Sequence, residues 1–355
     1  MALNHQLREY HTRGYLMVNL IWQKTPTKKL MLTQIQLATY GAETIQTNKY
    51  MAHNKHTESL QNQDLNLMMP NRQAWLDLAG DWEDPFPAPI ITEHDGLKVV
   101  REDLMGFGSK CRFGDILVQK APTDTLVYVQ PRYGFAGISL AYLAKKYNKK
   151  LVLFSPSQKE ISDHQAICIE RGADMKFRRI AAMPNLNAIA KKWAEANNAT
   201  FIPLGLKHEL VTAAAVKVAY DLAETHGYPE EVWSAISTGV LQRSLQIAWP
   251  DADFNAVAVA RNIKKGERGR ATMWSHPKAF NQNVHPSNFP PFPSALNYDA
   301  KAWEFMKKHA NPGALFWNVG GDPKPDFIRT KEHTDSQREW GEIRDEEMKQ
   351  PLIRS

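Results

Sequence analysis

Cysteine is nearly absent: Cys111 and Cys168 are the only two in 355 residues. That excludes a disulfide framework and a cysteine-based zinc site. A reducing compartment follows as the expected location, the cytoplasm, or a host's cytoplasm for a viral protein. Long apolar runs are also missing. None approaches the ~20 residues that cross a bilayer, so no membrane partner is expected. Met1 to Tyr15 has no apolar signal core, which argues against secretion. Internal repeats and low-complexity tracts are lacking. His276 and His285 flank Asn- and Pro-rich sequence without helical His-x-x-x-His spacing, so no metal site is expected. Gly106-x-Gly108 does not open the strand–turn–helix of a dinucleotide fingerprint. The excess of one charge is small. Lys and Arg number 44 against 38 Asp and Glu, for a net +6 and a pI near 9.1. That suits an anionic ligand or a nucleic acid, but many ordinary enzymes are equally basic.

What is present is a core-forming composition, 43% hydrophobic and 10% aromatic, on a chain long enough for one large or two medium domains. Residues 1–80 read as an N-terminal extension of unclear structure. Leu16 to Trp22 suits a strand or one helical face, and Lys29 to Ile45 has roughly helical apolar spacing. A polar, Asn-, Gln- and His-rich stretch follows, and Glu83 to Pro89 is a Pro-rich lead-in that cannot be helical. From about residue 90 strands alternate with helices. Strand candidates include Leu97–Val100, Thr125–Val129, Lys150–Phe154, Asp174–Phe177, Val232–Ile236, Phe254–Ala260 and Ala314–Trp317. Helices are expected at Gly137–Lys146, Ile161–Arg171, Leu186–Ala196, Leu210–His226, Leu241–Ala248 and Tyr298–His309. This alternation predicts an α/β fold with parallel sheets and right-handed crossovers. The charged segment 331–355 reads as a solvated tail.

Four places could carry chemistry. In Val99 to Arg112, a strand end leads through Arg101-Glu102-Asp103 and Gly106-Phe107-Gly108 to Lys110. Glycines let the chain bend near a flat ligand, and a buried lysine becomes a nucleophilic amine. A solvated surface lysine is the commoner outcome for such a run. Ser237-Thr238-Gly239-Val240 lies between a strand and a helix, where free N–H groups and hydroxyls can hold a phosphate. Arg243, one turn on, could add charge, and an ordinary helix cap reads the same way. Val129 to Gly137 ends another strand. There Arg132 suits a carboxylate or phosphate, Tyr133 could stack on a ring, and Gly134 follows. Asn318-Val319-Gly320-Gly321 closes the last strand. The basic cluster Arg261 to Arg270 could meet nucleic-acid phosphates, although a solvated loop explains it equally well.

In that order the parts resemble the fold-type II pyridoxal-phosphate (PLP) enzymes, the tryptophan-synthase-β-like superfamily. The nearest branch resembles aminocyclopropane-carboxylate deaminase and D-cysteine desulfhydrase. Val100-Arg101-Glu102-Asp103-Leu104 and Gly108-Ser109-Lys110-Cys111-Arg112 are similar to that branch's Lys-Arg-Glu-Asp-Leu and Gly-x-Lys-x-Arg segments. Thr238-Gly239 is similar to its phosphate loop, and Asn318 to Gly321 to its terminal His-Thr-Gly-Gly. The resemblance covers roughly residues 90–325. It implies PLP held as a Schiff base on Lys110, with Ser237, Thr238, Gly239, Val240, Asn318 and Gly320 as cofactor contacts and Arg132, Tyr133 and Gly134 as substrate contacts. It also implies a smaller subdomain, about 125–230, inserted in a larger one, and leaves a homodimer open.

Two departures matter. Pro131 to Gly134 replaces the branch's Ser-Asn-His, and Val319 replaces the threonine that contacts the pyridine nitrogen. The branch's substrate and reaction are therefore not carried over. The expected activity is chemistry at the α-carbon of an amino acid or amino-acid adduct, by elimination, deamination or decarboxylation. The chain also resembles divergent PLP enzymes of bacteriophages that hypermodify thymine in DNA, which implies an amino-acid-modified nucleotide or DNA as substrate. The alternatives are a free amino-acid deaminase or lyase, and a non-catalytic binding protein of the same fold.

Overall fold

The computed structural model describes residues 71–157, 160–179, 182–259 and 263–325, with three short strands nearer the N-terminus. The charged tail, most of 1–80 and the start of the Arg261 cluster lie outside the described residues. The early strands, β1 (Glu9–Thr12), β2 (Tyr15–Val18) and β3 (Ile35–Leu37), pair antiparallel as a sheet of their own. β3 thus falls inside the stretch whose spacing predicts a helix. Its three residues pair with β2, and ladder pairing outweighs a weak periodicity.

The rest is the expected α/β architecture with two sheets. The larger has six strands. In chain order these are β4 (Ile91–His94), β5 (Leu97–Arg101), β10 (Glu231–Ile236), β11 (Asp253–Ala258), β12 (Thr272–Ser275) and β13 (Leu315–Asn318). Their spatial order is β12-β11-β10-β13-β5-β4, parallel except for the antiparallel edge pair β4–β5. The smaller sheet is wholly parallel. It is built from β6 (Thr125–Val129), β7 (Lys150–Pro156), β8 (Asp174–Arg178) and β9 (Thr200–Phe201), in the order β8-β7-β6-β9. Its apolar strands read as near-continuous runs because helices cover both faces.

Helix α1 (Arg72–Ala79) precedes the sheets. α2 (Ser109–Gln119) follows β5, and α3 (Phe135–Lys146), α4 (Asp163–Glu170) and α5 (Met183–Ala196) serve the smaller sheet. α6 (Glu209–His226) and α7 (Val240–Ala248) flank β10, α8 (Lys265–Arg268) lies before β12, and α9 (Asp299–His309) precedes β13. α4 opens on a capping box in which Ser162 and Gln165 satisfy each other's backbone N–H groups.

α2 is buried on almost every side: Cys111, Phe113, Ile116, Leu117 and Val118 all sit in the main core, against α3 and α6. Such a helix has little freedom to slide, because close-packed interiors resist shifts of even a methylene. Its N-terminal end is fixed by charge. Arg112 is 1% exposed and donates through Nε to Glu102 at 3.0 Å and through Nη2 to the Pro87 carbonyl at 2.9 Å. Its Nη1 pairs with Asp84. Glu102 lies in the short 3-10 turn Glu102–Met105 just ahead of α2. Neighbouring Asp103 takes both Arg101, at 2.7 Å, and Asn318 Nδ2, at 2.7 Å. The Arg-Glu-Asp run and Arg112 therefore form a staple between β5, β13 and α2.

Breaking that staple leaves buried charge uncompensated. Arg112→Ala should cost about 3–5 kcal/mol in urea unfolding. Burial pushes the Glu102 carboxyl up to about 7, against the opposing pull of Arg112. Its native-state affinity for a proton exceeds that of the unfolded chain, so its contribution is complete below about 4.5 and is lost as pH rises through about 7. Glu102→Gln should flatten the fall in stability across that interval, measured as unfolding free energy against pH.

Candidate functional site

Lys110 is the second residue of α2, not a surface-loop lysine. The turn before it is extreme: Gly108 caps the helix at φ +74°, where a Cβ would lie 3.0 Å from the Val319 carbonyl and 3.1 Å from the Phe135 ring. The Ser109 N–H donates to that same carbonyl at 2.8 Å. The start of α2 is thereby seated against the end of β13.

The Lys110 side chain enters a cavity of about 210 Å³ between the two sheets. Only part of it is accessible, and its ammonium is poorly solvated. Burial lowers its pKa from the ordinary 10.5, and the nearby Asp299 carboxylate works against that fall. Asp299 is fully buried at the start of α9. Burial pushes its carboxyl well above 3.8, while Lys110 and then the Val319 N–H favour the charged form. Neither carboxylate oxygen closes a hydrogen bond of normal geometry, to Val319 or any other group.

Across the cavity lies the β10–α7 turn. Ser237 and Thr238 line the same space as Lys110, and a smaller recess of about 30 Å³ runs from Lys110 along Ser237, Thr238, Gly239 and Val240. Gly239 adopts φ +75° and caps α7, whose first N–H groups are left open by helix geometry. Ser237 Oγ and Tyr298 OH share a hydrogen bond at 3.2 Å. Arg243 does not add its charge here: one guanidinium nitrogen turns to the Gly266 carbonyl at 3.4 Å, near Glu267.

The remaining expected residues divide. Tyr133 and Gly134 line the cavity, but Arg132 does not. The Arg132 guanidinium packs over the Tyr133 ring at 5.5 Å, and its carbonyl accepts from Ser162, which turns the side chain aside. Asn318 and Gly320 also stand outside the lining. Asn318 donates both its amide hydrogens, to Asp103 and to the Pro293 carbonyl at 2.9 Å, and leaves its Oδ1 without a hydrogen bond, while Gly320 backs onto Phe135. At this strand end only Val319 reaches the cavity.

Sequence reasoning missed Gln130, His164, Phe280, Asn297, Tyr298 and Asp299. Gln130 lies inside the Val129 to Gly137 run, where Arg132 drew the attention, whereas Phe280 and His164 come from segments with no motif. Tyr298-Asp299 reads as an ordinary helix start, since acidic residues favour a first turn. His164 is buried and pushed down to about 4, so it is neutral at physiological pH.

No protein-family model matches the chain, and no curated protein matches it. Solved structures do. An ACC deaminase homologue superposes with a TM-score of 0.62 at 16% identity, over 76% of this chain and 99% of that one. Diaminopropionate ammonia lyase of Escherichia coli, in apo form, gives 0.54 at 11% identity, over 78% and 91%. Maize serine racemase gives 0.52 at 12% identity, over 77% and 98%. At such identities the likeness establishes the fold. The chain shares the fold of these deaminase, lyase and racemase structures.

A Cβ on Gly239 would lie 2.1 Å from the Glu267 carbonyl, at a φ that L side chains rarely adopt. Gly239→Ala should therefore lose more than the ~1–2 kcal/mol of left-handed strain alone, read by urea unfolding.

Proposed function

We propose that the protein is a PLP-dependent enzyme acting at the α-carbon of an amino acid or amino-acid adduct. The observation that carries this reading is the pairing of a desolvated Lys110 amine with the Ser237–Val240 turn on the walls of one cavity. The donor set suits the cofactor: an amine for its aldehyde, and two hydroxyls with a helix N-terminus for its phosphate. Lys110 would hold it covalently, and Ser237, Thr238, Gly239 and Val240 its phosphate. When bound, PLP supplies an electron sink for the bond broken at the α-carbon.

The chain's own residues then decide direction and water access. A Lys110 amine with lowered proton affinity can take a proton at the α-carbon and return it. Asp299 supplies the counter-charge that keeps the protonated amine tolerable when it forms. Tyr298 and Ser237, joined by their hydrogen bond, bridge the phosphate turn to α9. Tyr133 and Gly134 are the proposed substrate contacts, and Arg132 is assigned the placement of the Tyr133 ring. Elimination with deamination, and decarboxylation, both begin from this arrangement.

A second reading places the amino acid on a thymine base in DNA. The net charge of +6 is compatible with it, since positive charge attracts a polyanion. Turnover of a duplex carrying an amino-acid-modified thymine, without turnover of free amino acids, would select it.

Purified protein mixed with PLP should develop a visible absorption band. Lys110→Ala should abolish that band while the far-ultraviolet circular dichroism stays unchanged. A wild-type protein that remains colourless with excess PLP overturns the reading.

A further inference from the structure

We propose that the substrate's side chain ends in an uncharged planar ring, received by a continuous wall of aromatic side chains inside the cavity. The inference rests on the PLP reading and deepens it. Five of the six rings that line the cavity touch in series. Phe135 meets His164 at 5.4 Å and 75°, and His164 meets Tyr133 at 6.0 Å and 89°. Tyr133 meets Phe280 at 6.3 Å and 75°, and Phe280 meets Tyr298 at 6.3 Å and 89°. Every contact is edge-to-face, the arrangement that ring quadrupoles favour. The first three residues belong to the smaller sheet's loops and helices, and the last two to the segments between β12 and α9. The Tyr133–Phe280 contact is therefore where the two sides of the cavity meet.

The wall offers nothing to a charged side chain. Among the cavity's lining residues Lys110 is the only cation and no carboxylate appears. Lys110 is committed to the cofactor. His164 carries no charge above about pH 4. Gln130 spends both ends of its amide on the backbone, accepting from Gly137 N–H at 2.9 Å and donating to the Gly134 carbonyl at 3.0 Å. A side-chain carboxylate or ammonium entering here would lose its water with no free opposite charge to replace it, only neutral groups such as the Asn297 amide and tyrosine hydroxyls. A flat ring instead meets ring edges and faces.

The wall is also held in place. Lys301 is fully buried on α9 and donates through Nζ to the Ala279 carbonyl at 2.8 Å, fixing the backbone beside Phe280. Gln165, on α4 beside His164, donates to Ser155 on β7 at 2.7 Å, which anchors the helix that carries the imidazole. Neither ring depends on a free loop for its position.

The test uses the full chain loaded with PLP, titrated with amino acids of both hands while the visible spectrum is followed. The panel is phenylalanine, tyrosine, an alanine carrying a pyrimidine on its β-carbon, leucine, serine and aspartate. Ring-bearing members, whether benzene or pyrimidine, should bind about tenfold or more tighter than leucine, the scale of one to two ring contacts. They should exceed aspartate by more. The two ring arms distinguish a free aromatic amino acid from a base-linked one. Phe280→Leu keeps apolar bulk and should erase the ring-over-leucine preference, while Phe280→Tyr should retain it. Equal or tighter binding of serine or aspartate by a protein showing the Lys110-dependent band overturns the inference and leaves the PLP reading intact. Failure to form the band at all sinks the PLP reading instead, and this inference with it.

Discussion

The buried guanidinium of Arg112 is the constraint on which the rest depends. A charge 1% exposed persists only where its donors are met, and here they are met by Glu102, Asp84 and the Pro87 carbonyl. Those partners come from the lead-in before β4 and from the turn after β5. Satisfying one cation therefore ties both segments to the first turn of α2. Lys110 sits two residues before Arg112 on that turn, and its position follows from the same network.

The two sheets then divide the labour. The six-stranded sheet brings the end of β13 against Gly108 and sets the β10–α7 turn opposite Lys110. The four-stranded sheet supplies Tyr133, Phe135 and His164, which close the other side. A cavity lined by several rings, with one weakly solvated amine inside, makes that amine's protonation cheap to reverse. The same dryness penalises any second charge in the cavity.

Much of the fold was legible. β6 was expected at its observed bounds, and most other elements from residue 97 onward within two or three residues, because buried parallel strands read as apolar runs between helices of clear period. α2 itself was not legible. Ser109 to Gln119 carries Arg112 and Asp115 at buried positions, which breaks the apolar stripe, and only their ion pairs make those positions tolerable. The edge strands β4 and β12 were missed for a related reason: each is four residues long and half exposed, too short for a period. Lys110 and the Ser237–Val240 turn stood out in the sequence because backbone chemistry at strand–helix junctions leaves local marks, and the structure brings them to one recess. Asn318 and Arg132 stood out equally and neither lines the cavity, since a polar side chain at a strand end looks the same in sequence whether it faces a ligand or the protein's own groups.

The sequence by itself determined the alternation of strands and helices, the order of the motifs and the lysine on which the site turns. These are properties of neighbours along the chain: hydrophobic period, glycine at positive φ, hydroxyls ahead of a helix. Only the tertiary structure decided which groups share the cavity. Asp299 lies 189 residues beyond Lys110 yet its carboxyl acts on the proton affinity of that amine, and Phe280 lies 147 residues beyond Tyr133 yet touches its ring. Desolvation and ring contact act through space at a few ångströms, and no local pattern encodes which distant residue will arrive there.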